Sequence, residues 1–182
     1  MTATDSPLKP LSIDADETSS RAGSGRGESD NSFLLVGVGA SAGGVEALKD
    51  FFDHIPSVDR PPAFVVAMHL PARSPSHLVS ILQETTSLSV EAAEDGVAVM
   101  PGCVYVTPPG KRVRLDGDEL RVDDAHSPHD ATTIDQLFRS LAESRGADGA
   151  GVVLSGTGTD GTLGVRAIKE AAGLALVQSP ED

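Results

Sequence analysis

From Phe33 onward the apolar residues come in short blocks of two kinds. Continuous β-rich runs occupy Phe33–Val38, Ala63–Met68, Cys103–Thr107, Gly151–Leu154 and Leu174–Val177. Between several of them the period changes to that of a helix. Val45, Leu48, Phe52 and Ile55 fall on one helical face, as do Ile134, Leu137, Phe138 and Leu141. Leu78, Ile81 and Leu82 mark another helix, and Leu163, Val165, Ala167 and Ile168 a fourth. Strands that alternate with helices predict an α/β fold: three layers, doubly wound, with a mostly parallel sheet and helices on both faces. One stretch breaks the rhythm. Lys111–Leu115 and Glu119–Val122 flank Asp116-Gly117-Asp118, and Asp-Gly between two short alternating runs predicts a small antiparallel hairpin.

Residues 1–31 follow neither period. They are rich in Ser, Asp, Gly and Thr, with few and unpatterned apolar residues. Such a segment buries too little surface to offset its ordering entropy, so a disordered polar tail is expected ahead of a domain over 32–182. In that domain aromatics are scarce, 3% of the whole chain, and the core must be built from Val, Leu, Ile and Ala.

The net charge of −13 leaves no basic surplus to neutralise phosphates, which argues against nucleic acid and against an anionic membrane surface. No apolar stretch approaches the length of a membrane span, and the N-terminus lacks the basic and apolar regions of a secretion signal. Cys103 is the single cysteine, so no internal disulfide can form and a cytoplasmic protein is the simpler expectation. Cys103 and the histidines show no metal-ligand spacing, and no cofactor is expected.

The chemistry gathers at strand ends. Gly39-Ala40-Ser41-Ala42-Gly43 is a G-x-S-x-G between an apolar run and a helical pattern, the strand–turn–helix setting of a nucleophilic serine. The run Ala63–Met68 leads to His69, and Gly151–Leu154 leads to a glycine-rich segment ending in Asp160-Gly161. Parallel strands deliver all three to one edge of the sheet, where open α/β sheets bind ligands. Ser41, His69 and Asp160 then supply nucleophile, general base and the acid that orients the base.

Each has a plainer rival. Ser41 could cap the helix that follows it, and Asp160 could do the same for its own helix. His69 could be a strand-end histidine satisfied by backbone. Gly37-Val38-Gly39-Ala40-Ser41-Ala42 also fits a loose dinucleotide pattern, but that needs an acidic residue where the second strand ends in Met68-His69. Gly156, Gly158 and Gly161 could cradle a phosphate, but no P-loop lysine accompanies them.

Taken together, Val36–Gly44, Met68-His69-Leu70-Pro71, Val104–Gly110 and Leu154–Gly161 resemble the catalytic domain of the bacterial chemotaxis protein-glutamate methylesterases, the CheB family. The resemblance covers about Phe33 to Asp182, and Gly158–Glu170 is most similar to the branch fused to a receptor methyltransferase. It implies Ser41 as nucleophile, His69 as base and Asp160 as orienting acid. It also implies an oxyanion hole from backbone N–H groups near Ala42 and Thr157. The implied reaction is hydrolysis of glutamate γ-methyl esters on a chemoreceptor, with receptor glutamine deamidation by the same machinery. A receptor methyltransferase or a sensor kinase is the further partner it suggests. The family fold normally continues with another helix and strand segment, so the expectation is a fragment of a longer fusion, without a receiver domain. The competing class is a non-catalytic module that regulates a methyltransferase or kinase.

Overall fold

The structure, a computed structural model, describes residues 33–41, 44–68, 77–125, 132–154 and 159–179, all within the unit Ser32–Asp182. Among these residues the elements run β1 (Leu35–Ala40), α1 (Val45–Asp53), β2 (Ala63–Met68), α2 (Leu78–Gln83), β3 (Ser89–Ala92), β4 (Cys103–Val106), β5 (Lys111–Asp116), β6 (Glu119–Asp124), α3 (Thr133–Arg145), β7 (Gly149–Val153), α4 (Thr162–Glu170) and β8 (Leu174–Val177). Six strands form one sheet in the order β3-β4-β2-β1-β7-β8, and every neighbouring pair is parallel. The expected doubly wound α/β architecture is the one observed. The strand order reverses direction between β1 and β7, which makes their carboxyl ends the topological switch point.

Alternation along each strand divides the core by face. Val36, Val38 and Ala40 of β1, with Phe64, Val66 and Met68 of β2, pack with Leu48 and Phe52 of α1 and Leu78 and Leu82 of α2. The rings of Phe52 and Phe64 meet edge to face at 5.3 Å, which seats α1 on β2. Leu35, Ala63, Val65 and Tyr105 point the other way, against Leu137, Phe138 and Leu141 of α3, Ile168 of α4 and Val113, Leu115 and Leu120 of the hairpin. Both sides of β1 and β2 are therefore buried, which is why these strands read as continuous apolar runs.

Glycine sets how closely α3 approaches. A Cβ on Gly39 would lie 2.4 Å from Cγ2 of Ile134, and one on Gly37 would lie 3.1 Å from the Phe138 ring. Ile134 thus lies over the carboxyl end of β1 and Phe138 further back. The N-terminus of α3 is carried to the same edge as Ser41.

The hairpin forms where Asp-Gly placed it, with Asp116 opposite Glu119. Gly117 has φ +61° and takes the first central position; Asp118 is not left-handed, so the turn has the glycine-first pattern of type II′. The sequence reading did not include β3. Its residues Ser89-Val90-Glu91-Ala92 bury only Val90, so they carry almost no apolar signal.

Candidate active site

Ser41 follows the last residue of β1, and the backbone turns at once: the Gly44 N–H donates to the Ser41 carbonyl at 2.8 Å. Helix α1 begins only at Val45, with Gly44 in the capping position and no side-chain cap. Ser41 is thus three residues ahead of the capping position itself. It stands on a strand-to-helix turn at the switch point, partly accessible, as a nucleophile must be.

Strand β2 ends level with β1, Ala40 opposite Met68. The next residue in sequence, His69, lies outside the described residues, as do Ala42 and Thr157 of the expected oxyanion hole. On the other side of β1, the Leu154 N–H donates to the Gly39 carbonyl at 2.9 Å, so the β7 chain stays paired to the end of β1 before it leads toward Asp160.

Asp160 sits one residue before the cap position of its own helix, and its carboxylate accepts the Gly161 N–H. Helix α4 has Gly161 at its cap position and receives no side-chain cap bond there. The Asp160 carboxylate also reaches α3. Its Oδ2 accepts the Ile134 N–H and its Oδ1 the Asp135 N–H, both at 3.0 Å. These are second- and third-position amides of α3, unpaired within the helix and at its positive end. Thr132, at the α3 cap position, gives no cap bond, and its hydroxyl accepts the Gln136 side chain instead. Burial pushes the Asp160 carboxyl above its ordinary 3.8; the amides of Ile134, Asp135 and Gly161 pull it down, the nearby Asp135 charge adds to the rise, and the net direction is up.

A residue the sequence reading passed over completes the arrangement. Asp135 is 6% exposed, and its Oδ1 accepts the Gly164 N–H of α4 at 2.7 Å. The two helices touch at this point: a Cβ on Gly164 would fall 2.5 Å from Cβ of Phe138 and 3.1 Å from Cα of Asp135. The signal for Asp135 was present but faint. It shares a helix side with the buried Phe138 and Ala142, three and seven residues on. Acidic residues in a first helical turn are common enough to hide it.

Among the described residues no group of three His, Cys, Asp or Glu side chains could hold a metal, and no helix is long and apolar enough to cross a membrane.

A strand–serine turn–helix at the switch point of a parallel sheet, with an acid anchored on α3 after the neighbouring strand, matches a known pattern along nearly the whole domain. The sequence profile described as CheB methylesterase fits residues 36–182. The chain belongs to the CheB methylesterase family. The protein-glutamate methylesterase/protein-glutamine glutaminase 2 of Xanthomonas oryzae pv. oryzae is 38% identical over 153 residues, 79% of this chain and 41% of that one. A similarly named Burkholderia thailandensis protein is 36% identical over 152 residues, 81% of this chain and 42% of its own. The crystal structure of the Thermotoga maritima CheB methylesterase catalytic domain superposes with a TM-score of 0.71 at 28% identity, covering 82% of each chain. The CheB-type domain described here thus spans about two fifths of the length of these curated relatives.

Proposed function

We propose that this domain hydrolyses glutamate γ-methyl esters on a chemoreceptor, releasing methanol and restoring the glutamate carboxylate. The observation that carries this reading is the arrival of Ser41 and Asp160 beyond adjacent strands β1 and β7, at the switch point of a CheB-family sheet. The relatives' names couple methylesterase with glutaminase, which supports deamidation of receptor glutamine at the same site.

In this mechanism His69 takes the proton of Ser41 Oγ as it attacks the ester carbonyl carbon. The tetrahedral oxyanion is held by backbone N–H groups near Ala42 and Thr157. Collapse breaks the bond to the methoxy oxygen, which leaves as methanol with the proton from His69. A water, deprotonated by His69, then attacks the acyl-enzyme and frees glutamate and Ser41. Asp160 holds the imidazole tautomer and stabilises the imidazolium. The N–H groups of Ile134, Asp135 and Gly161 use three of the roughly four acceptor directions of the carboxylate, which leaves one for the histidine.

The same reading places the protein in the cytoplasm, with residues 1–31 outside the catalytic domain and a methyltransferase or sensor kinase as further partner. Gly158–Glu170 supports kinship with the methyltransferase-fused branch. The test is methanol release from a methylated receptor fragment by the parent chain and by Ser41→Ala. Serine-dependent release supports the reading. Binding of the receptor, methyltransferase or kinase with no release would make the domain a non-catalytic module.

A further inference from the structure

The segment 160–164 is pinned at both ends on a single residue. At its start, the Asp160 carboxylate accepts the backbone N–H of Asp135. At its end, the Gly164 N–H donates to the Asp135 carboxylate. Between them Gly161 turns with φ +97°, in the left-handed region, and a Cβ there would lie 3.0 Å from Cγ2 of Ile134. The backbone that carries Asp160 therefore takes its position from α3 twice, once through its own side chain and once through Asp135.

We infer that Asp135 is a positioning residue for the esterase reaction, fixing the first turn of α4 and hence the backbone from which Asp160 reaches its partners. This rests on the reading of Asp160 as the triad acid. Asp135 has no contact with the substrate in this role. Its burial beneath the α3–α4 contact puts it behind Asp160, and Phe138 and Gly164 leave no space for the helices to slide closer and compensate. Loss of its carboxylate would free the Gly164 end of the segment while leaving both bonds from Asp160 to α3. The acid would then keep its anchor but swing on a looser backbone.

The experiment measures methanol release from a methylated receptor fragment, well below the melting temperature. Active sites are counted by a fluorophosphonate that labels Ser41, so unfolded protein does not enter kcat. Asp135→Ala is expected to lower kcat per titrated site roughly 10- to 100-fold, the upper end being the cost of a displacement of about 1 Å, while KM stays near the parental value. Asp135→Asn keeps an oxygen for the Gly164 N–H and should recover most of that loss. Asp135→Glu keeps the charge but shifts the acceptor by one methylene; it should show the same kcat loss and replaces the alanine variant if that fails to fold. Combined with Asp160→Asn, the alanine or glutamate change should cost no further kcat, because Asp135 acts through Asp160.

Unchanged kcat per site in Asp135→Ala or Asp135→Glu would reduce Asp135 to a structural cap. So would a full additional loss in the Asp160→Asn background. A parent chain with no Ser41-dependent turnover would sink the esterase reading, and the inference with it.

Discussion

Asp160 and Asp135 cap each other's helices. The Asp160 carboxylate binds the second and third amides of α3, and the Asp135 carboxylate binds the third amide of α4. Neither helix receives a side-chain cap from its own capping residue, Thr132 or Gly161. A side-chain cap stabilises by about 1 kcal/mol, and here the two are linked because Asp135 is donor in one and acceptor in the other. Two carboxylates so close would repel. Each instead faces the positive end of the other's helix, which offsets part of that repulsion.

Ser41→Ala should abolish ester turnover, a loss of at least ~10⁴-fold in kcat, as expected when a triad nucleophile is removed. Any change in melting temperature should be small beside the loss of turnover, since a single partly exposed hydroxyl is removed. Turnover equal to the parent's in methanol-release assays would remove Ser41 as the nucleophile.

Asp160→Asn should cost kcat at least ~100-fold, the value of general acid–base assistance. It should also destabilise, because an amide offers one acceptor oxygen where the carboxylate offers two. The pH dependence has a definite sign. The folded-state pKa of Asp160 lies above its ordinary 3.8, so between those two values the folded protein binds more protons than the unfolded chain. The contribution of Asp160 is then largest below 3.8 and falls as pH rises through the raised folded value. Denaturant melts of parent and variant should therefore differ more at pH 3.5 than at pH 7; a gap that widens with pH would contradict burial as the dominant influence.

Gly164→Ala would stabilise an ordinary helix by ~1 kcal/mol through propensity. Here the sign should reverse. The new methyl would press on Phe138 Cβ and on the Asp135 backbone, and overpacking of that kind costs about 1–3 kcal/mol. Thermal melts should show a lower transition temperature, and turnover should fall with it. A rise in Tm would mean that α3 and α4 can separate freely.

A chain beginning at Ser32 should keep the specific activity of the full protein. It retains Phe33, whose ring carries the Arg145 guanidinium at 4.7 Å and ties the start of β1 to the end of α3. Comparison of kcat/KM between the two chains decides the matter, and a large loss in a folded deletion would show that residues 1–31 take part in catalysis.

Much of this fold was legible because parallel strands buried on both faces leave unmistakable apolar runs. Ala63–Met68, buried throughout, matches an observed strand end to end; Leu174–Val177 matches one too, although it is an edge strand with three of its four residues exposed. Strand β3 was missed because one buried valine in an otherwise polar stretch carries no period. At the site, the turn that presents Ser41 could be read from local order: strand, glycines, helix. The partner of Asp160 could not. Its bonds run to residues 26 and 25 positions earlier, and helical periodicity reports only what lies a turn or two away. For the same reason Asp135 looked like an ordinary first-turn acid.

The sheet also separates what the chemistry must bring together. Ser41 leads into α1, whose Leu48 and Phe52 sit in the hydrophobic layer on one side of the strands. Asp160 is moored to α3 and α4, whose Phe138 and Ile168 belong to the layer on the other side. Catalytic alignment is thus a measurement of one layer against the other, with the strands as the ruler. A cavity cut under α1 would displace the nucleophile and leave the acid in place; one cut under α3 would do the reverse. Damage far from the site should therefore carry a signature of the layer in which it was made.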